Sequence, residues 1–511
     1  VLTGFLCLLV LLAGLFVVRS GARPPEGDSG ETAPRRHVVA GALVVLAGAL
    51  PLVWAQPWLR GATETYFGDG LSHAALGQAV AKNGLPHGWV DVNLGGFPFG
   101  HHYPPLGTLV LALTMRLGIS PALSIELWGA AATLGASIAL YISSTRAGVR
   151  PSYAALGALY LSWVSPRNPF VGGYEAFFHI GVFSQVMALP ICIAFAGAVA
   201  SGTGRSAAPL GALAMSAHPQ LGVATLVVTA CAVLASASRA AFSRFVRGAA
   251  GAVVFGAALY GQGALAMNVP FGWPPDLGWR KVGFDASRLG WWFADGDLLD
   301  SERFAPVLTA LGAAAATALV LAVARPRARA ALAAAAFAVA LSVSGPALAR
   351  FEPLGPALLS ILQPLRVLAL IPPLAAALVV VALEESAPRL RAAIAAWRPR
   401  FERAAPWLGF AVALLLVAGA LPGRIRFASR IAGELEARRG GQCPGAPPGY
   451  DSREIRRWLA PLRGGRLFFD EYSGDGLQKC LVTDGVTLAS GVSLGTTVGV
   501  GAHVGILWLA F

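Results

Sequence analysis

Between two apolar runs, the stretch GDGLSHAALGQAVAKNGLPHGWVDVNLGGFPFGHHYPPLG (Gly68 to Gly107) crowds carboxylate, imidazole and aromatic groups together. Asp69 and His73 are four residues apart, so on a helix they share a face. A carboxylate partly desolvated by neighbours such as Tyr66 and Phe67 can act as a general base on a hydroxyl. The same carboxylate can instead accept backbone N–H bonds and cap a helix over 70–82. Spacing alone leaves both roles open for Asp69. His101, His102 and Tyr103 precede Pro104-Pro105 and would present three polar rings to an anionic headgroup. Adjacent histidines diverge, so they are poor partners in one zinc site. Turn residues at nearly every other position predict a structured but irregular connection through this stretch.

Ionisable groups inside apolar runs are costly in a bilayer and therefore tend to have a partner or a task. Arg366, in "ILQPLRVLALIPPL", could hold a lipid phosphate or simply extend its head to the interface. His218 sits in "SAHPQ", where Pro219 removes a backbone donor and breaks the run. It could face a cavity with Arg366 or serve as a hydrogen-bonded structural residue at the break. Glu126 is a weaker candidate. The stretch 269–304 mixes Trp273, Trp279, Trp291 and Trp292 with Asp276, Asp285, Asp295 and Asp297. Its indoles could anchor the chain at headgroup level or stack on sugar rings and prenyl chains.

The elements that must carry these residues are membrane helices. The chain has 511 residues, is 56% hydrophobic and only 13% charged, and its mean hydropathy is +0.63. Soluble domains carry about 25% charged residues. Apolar spans run over 1–18, 38–55, 104–118, 122–143, 152–165, 181–200, 207–236, 248–268, 305–324, 330–348, 361–383 and 405–422. They predict an all-α polytopic membrane protein with about 11–12 membrane helices. The span 104–118 is short enough to be partial or re-entrant, and 207–236 is expected to divide at His218-Pro219.

The net charge of +13 comes from short arginine clusters between the apolar runs, including Arg35-Arg36, Arg146 with Arg150, Arg239 to Arg247, Arg325 to Arg329 and Arg389 to Arg403. That placement follows the positive-inside rule and argues against a nucleic-acid partner. It puts the loops 56–103 and 269–304, and the segment 423–511, outside the cytoplasm. Residues 1–422 are thus read as the transmembrane domain. Residues 423–511 are read as the start of an external α+β or β-rich domain, with a helix over "DSREIRRWLAPL" and a strand over "GRLFFDEY". The chain begins without Met and stops on the apolar run "VGILWLAF", so it is expected to continue in the natural protein. Cys7, Cys192 and Cys231 read as small core residues. Cys443 and Cys480 could form a disulfide in an oxidising compartment. No metal-type cysteine spacing exists.

Taken together, Asp69, His73 and "GLPHGW…GGFPFGHHYPPL" resemble the bacterial integral-membrane family named "6-pyruvoyl-tetrahydropterin synthase-related". That family is similar in layout to the C-type glycosyltransferase (GT-C) superfamily. "YLSWVSPRNPFVGGYEAFFHIGVFSQVMALP", "SAHPQLG", "ILQPLRVLALIPPLAAAL" and "REIRRWLAPLRGGRLFFDE" extend the resemblance in order along the chain. The resemblance implies a multi-pass enzyme of the bacterial plasma (inner) membrane with its C-terminal domain outside. It would move a sugar from a polyprenyl-phosphate donor to a glycan, lipid or protein acceptor on the outer face. Asp69 would be the catalytic base or orient the acceptor. His73, His101, His102, Tyr103 and His218 would line the site, and Arg366 or Arg167 would neutralise the carrier phosphate. The chain departs from the family pattern before Pro190, where His179, Gly181 and Gln185 stand in place of an Arg-Gly and a Glu. Glu175 and Arg167 nearby could substitute. No cofactor is implied beyond the donor, and nothing in the sequence decides whether a divalent metal is needed. The rival readings are a transporter or lipid-handling protein that uses the same cavity without chemistry, and an envelope-assembly protein that works through its external domain.

Overall fold

The computed structural model describes residues 39–46, 48–49, 70–83, 89–90, 97–98, 104–163, 183–201, 204–267, 320, 323–342, 344, 347–348, 364–397, 457, 466–467 and 487–488. Residues 39–46 are helical. The longer elements are α1 (Gly70–Asn83), α2 (Pro105–Arg116), α3 (Pro121–Arg146), α4 (Pro151–Trp163), α5 (Phe183–Ser201) and α6 (Gly204–Ala217). They continue with α7 (Pro219–Ser236), α8 (Arg239–Met267), α9 (Pro326–Ser342), α10 (Pro364–Val367) and α11 (Ile371–Trp397). A 3₁₀ turn, Leu368–Leu370, joins the last two. Two short ladders complete the description. β1 (Trp89–Val90) pairs antiparallel with β2 (Phe97–Pro98), and β3 (Arg466–Leu467) pairs parallel with β4 (Thr487–Leu488).

Local sequence explains where the helices stop and start. Pro121 occupies the first turn of α3, and the Ser120 hydroxyl accepts the Leu123 N–H at 3.3 Å. At the far end of α3 the chain turns through Gly148 at φ +83°, a conformation that costs glycine nothing. The predicted break at His218-Pro219 is where α6 ends and α7 begins.

Four helical stretches among the described residues are long and apolar enough to cross a membrane: Leu123–Arg146, Phe183–Ser201, Pro219–Ser236 and Leu368–Ser386. That is the make-up of an α-helical membrane protein. By contrast α2 has 12 residues and a length of about 18 Å, against a hydrocarbon core of about 30 Å. On that length α2 is too short to cross a membrane by itself.

Small residues let the helices approach. In α3 and α5, which run in the same direction, Gly135 lies against Pro190 and Gly197 against Ser143. A Cβ on Gly211 of α6 would collide with the Gly248 carbonyl of α8, and one on Gly251 with the Ala208 carbonyl. Close backbone contact of this kind substitutes for the hydrophobic drive that lipid removes. Of the apolar clusters that result, one joins Ala74, Leu111, Ile125, Phe183 and Val186, and another joins Leu189, Ala217, Leu221, Leu341, Val367 and Leu368.

The bundle has two chemically distinct ends. At one end Arg150 pairs with Glu384 at 3.4 Å and Arg325 pairs with Glu385. There Arg329 donates to the Ala235 carbonyl at 3.0 Å, and Arg244 donates to the carbonyls of Val199 and Ala200 at 2.6 and 3.2 Å. These arginines cover the C-terminal carbonyls of α7 and α5, where positive charge opposes the helix dipole. The starts of α5, α7 and α10 lie at the opposite end.

Several boundaries differ from the sequence reading. The arginine clusters are not confined to loops: Arg239 to Arg247 lie in the first turns of α8, Arg327 and Arg329 in α9, and Arg389 and Arg391 in α11. Alanine and arginine both favour helix, so these helices continue past the apolar run that marked them. Cys192 is buried as expected of a core residue, whereas Cys231 is partly exposed. The spans 1–18 and 405–422, most of 305–324, the loop 269–304 and the Cys443–Cys480 pair lie outside the described residues. Of the segment 423–511, only Arg457 and the β3–β4 pair are described.

Candidate functional site

Opposite the arginine end, four elements, α1, α5, α7 and α10, bring polar side chains into one neighbourhood. α1 and α2 lie side by side in the same direction there. Arg116 Nε donates to the Ala81 carbonyl at 3.0 Å, and Gly77 rests against Leu111 and Met115. The chain between them must therefore double back from the end of α1 to the start of α2. The β1–β2 ladder lies within that return, pairing Trp89 with Pro98 and Val90 with Phe97. The rest of this stretch, where a structured connection was expected, lies outside the described residues.

His73 sits on α1 and is buried, its ring 5.4 Å from the Phe183 ring at the start of α5. Phe183 in turn seats against Gly107 of α2, where an added Cβ would be 3.1 Å from the ring. Two residues further along α5, the buried Gln185 accepts a hydrogen bond from Arg366 Nη1 of α10 at 2.9 Å. Arg366 itself is partly exposed, while the residues after it, Val367 to Leu370, are buried and fix the base of its side chain.

His218 occupies the joint between α6 and α7. Its Nδ1 accepts the Leu221 N–H at 3.2 Å, so it caps α7 as Asn or Ser would. With Nδ1 accepting, the neutral ring carries its proton on Nε2 and can donate from there. The imidazole lies within electrostatic reach of both Arg366 and His73. The structure thus groups His73, His218 and Arg366, three of the residues singled out from sequence, and adds Gln185 and Phe183. The structural reading of His218 holds through its cap, and its place beside Arg366 keeps the cavity reading open.

Burial lowers the His73 imidazole to about 3, so it is neutral at physiological pH. A neutral His73 adds no charge to attract an anion but retains one donor and one acceptor nitrogen. Arg366 is the cation of the group. Its bond to an amide oxygen orients the guanidinium without the partner contributing negative charge. Glu126, on the N-terminal part of α3, is buried. Among the described residues no three His, Cys, Asp or Glu side chains are grouped to hold a metal ion.

Asp69, His101, His102, Tyr103, Arg167, Glu175 and His179 lie outside the described residues. The helix that follows Asp69 begins at Gly70 and runs to Asn83, close to the expected 70–82. Sequence reasoning named Gln185 only as a departure from a pattern and did not connect it to Arg366. The signal was there, because each is a strongly polar group in an apolar run. Phe183 gave no signal, since one aromatic in an apolar span looks like any other. No protein-family model and no curated protein matches this chain.

Proposed function

We propose that this protein is a membrane glycosyltransferase of C-type layout. It takes a sugar from a polyprenyl-phosphate carrier and passes it to an acceptor on the outer face of a bacterial plasma membrane. The observation that carries the reading is the convergence of Arg366, Gln185, His218 and His73 at the end of the bundle opposite the arginine clusters. If the arginine end faces the cytoplasm, as basic residues do in membrane proteins, this group faces outward. Arg366 neutralises the carrier phosphate, for which a planar guanidinium fork is well shaped. The Nε2–H of His218 and the neutral His73 offer hydrogen bonds to phosphate or sugar oxygens. Asp69, the residue that precedes α1 in the sequence, takes the proton from the acceptor hydroxyl.

One observation favours a second reading, in which the same site handles a lipid phosphate without transfer. Transporters bind anionic groups at the start of half-helices where a span is broken, and α7 begins at such a break beside Arg366. Turnover separates the two. The full chain and its Asp69→Asn variant are reconstituted in liposomes with a panel of polyprenyl-phosphate sugars. Sugar transfer by the wild type that is lost in Asp69→Asn, with the variant folded, supports the enzyme. Lipid-phosphate binding without transfer from any donor supports the second reading.

A further inference from the structure

The arginine end of the bundle divides into two parts of different charge balance. On one side Glu384 and Glu385 of α11 pair with Arg150 and Arg325. These two glutamates are the carboxylates of this end among the described residues. On the other side lie the end of α5, the start of α6 and the first turns of α8. Residues 183–267, which carry α5 to α8, hold Arg205, Arg239, Arg244 and Arg247 and contain no Asp or Glu. Arg244 is committed to the carbonyls of Val199 and Ala200. Arg205, Arg239 and Arg247 are exposed, and none of the three pairs with a carboxylate among the described residues.

Packing gathers these cations. α6 and α8 run side by side in the same direction, with Ala207 at Gly248, Gly211 at Ala252 and Met215 at Gly256. That constant offset sets Arg205 level with Val246, one residue before Arg247. Arg247 Nε donates to the Ser243 carbonyl at 3.4 Å and Nη2 to the Ser243 hydroxyl at 3.5 Å, so its head is drawn back toward the start of α8. Bonds of that length are weak, and an incoming phosphate oxygen can replace them. Arg244 and Arg247 lie within electrostatic reach of each other, a repulsion that an anion relieves. The outward face of α8 beside them is apolar: Phe242 is 51% exposed, Val246 47% and Val253 64%. Basic side chains alone would suit any anion, and an apolar face alone is the ordinary lipid-facing side of a membrane helix. Arginines at the head of an apolar stripe complement a molecule that has both parts.

We propose that this side of the bundle is a binding site for an anionic glycerophospholipid: Arg205, Arg239 and Arg247 hold the headgroup phosphate, and an acyl chain lies along Phe242, Val246 and Val253 of α8. The site is separate from the Arg366 group at the opposite end and does not depend on what that group binds.

The test is photo-crosslinking of the full chain in phosphatidylcholine nanodiscs, with adducts mapped by peptide mass spectrometry. The probe is phosphatidylglycerol with a diazirine in one acyl chain, compared with phosphatidylcholine that carries the same chain at the same mole fraction. In wild type, phosphatidylglycerol labels α8 between Arg239 and Val254 at least about tenfold more than phosphatidylcholine does, the combined pull of several arginines near the surface. Arg239→Gln and Arg247→Gln each lower that preference about fivefold, whereas Arg247→Lys retains most of it. Arg150→Gln makes the same change of charge at the same end, in the part that carboxylates balance, and leaves the preference unchanged.

Four results overturn the proposal. Equal labelling of α8 by the two lipids removes the selectivity for an anion. A preference that survives both Arg239→Gln and Arg247→Gln removes the role of these side chains. A preference lowered as much by Arg150→Gln as by Arg247→Gln marks a diffuse attraction to the whole end and no built site. Displacement of the probe by soluble glycerol 3-phosphate marks a free-anion site and rejects the lipid.

Discussion

At the scale of residues, the site is defined by which groups carry charge. Spacing puts His73 and Asp69 on one face of a helix. Its surroundings give His73 a different character, because Phe183 and the apolar cluster around Ala74 strip water from the ring. The folded pKa is about 3, below the unfolded value of about 6.5. The unfolded chain therefore binds a proton in this window that the folded chain refuses, and stability falls as pH drops below about 6.5. Thermal unfolding in detergent between pH 8 and pH 5 should show a midpoint that declines on the acid side. In His73→Phe that decline is smaller, because the group that would take the proton is gone. An equal decline in the variant would mean that His73 is solvated and free to titrate.

At the scale of elements, the broken span was legible and its purpose was not. Proline after histidine inside an apolar run announces a break, and the break falls between Ala217 and Pro219. That the imidazole itself caps α7 depends on a side-chain rotamer and on a contact to Leu221, which no spacing rule supplies. His218→Ala should cost about 1 kcal/mol of stability through loss of the cap, whereas His218→Asn should recover most of it. Denaturant titration of the purified protein distinguishes these outcomes; equal losses in both variants would contradict the cap. The helices reach beyond the apolar spans, to Arg239, Pro326 and Trp397, because hydropathy reports where a helix is apolar. It does not report where backbone hydrogen bonding stops, and arginine and alanine carry a helix well beyond the bilayer. The shortness of α2 was legible in the span 104–118, and its helix has only 12 residues to set against the bilayer thickness.

At the scale of the whole molecule, the account rests on polarity along the bundle axis. The arginine pairs at Glu384 and Glu385 and the arginines on the carbonyls of Val199 and Ala235 mark one end. The group around Arg366 marks the other. Basic clusters are visible in a linear sequence, so the membrane class was legible from composition and charge placement alone. The juxtaposition of residues 73, 185, 218 and 366 was not, because it depends on α1, α5, α7 and α10 meeting at one end. The central claim is that this end receives a lipid phosphate. The measurement that tests it most directly is photo-crosslinking of the reconstituted full chain with a diazirine-bearing polyprenyl phosphate, with adducts mapped by peptide mass spectrometry. The account predicts adducts at the starts of α1, α2, α5, α7 and α10 that are lost in Arg366→Gln. Adducts confined to the arginine end, or adducts at these helix starts that persist unchanged in Arg366→Gln, would contradict it.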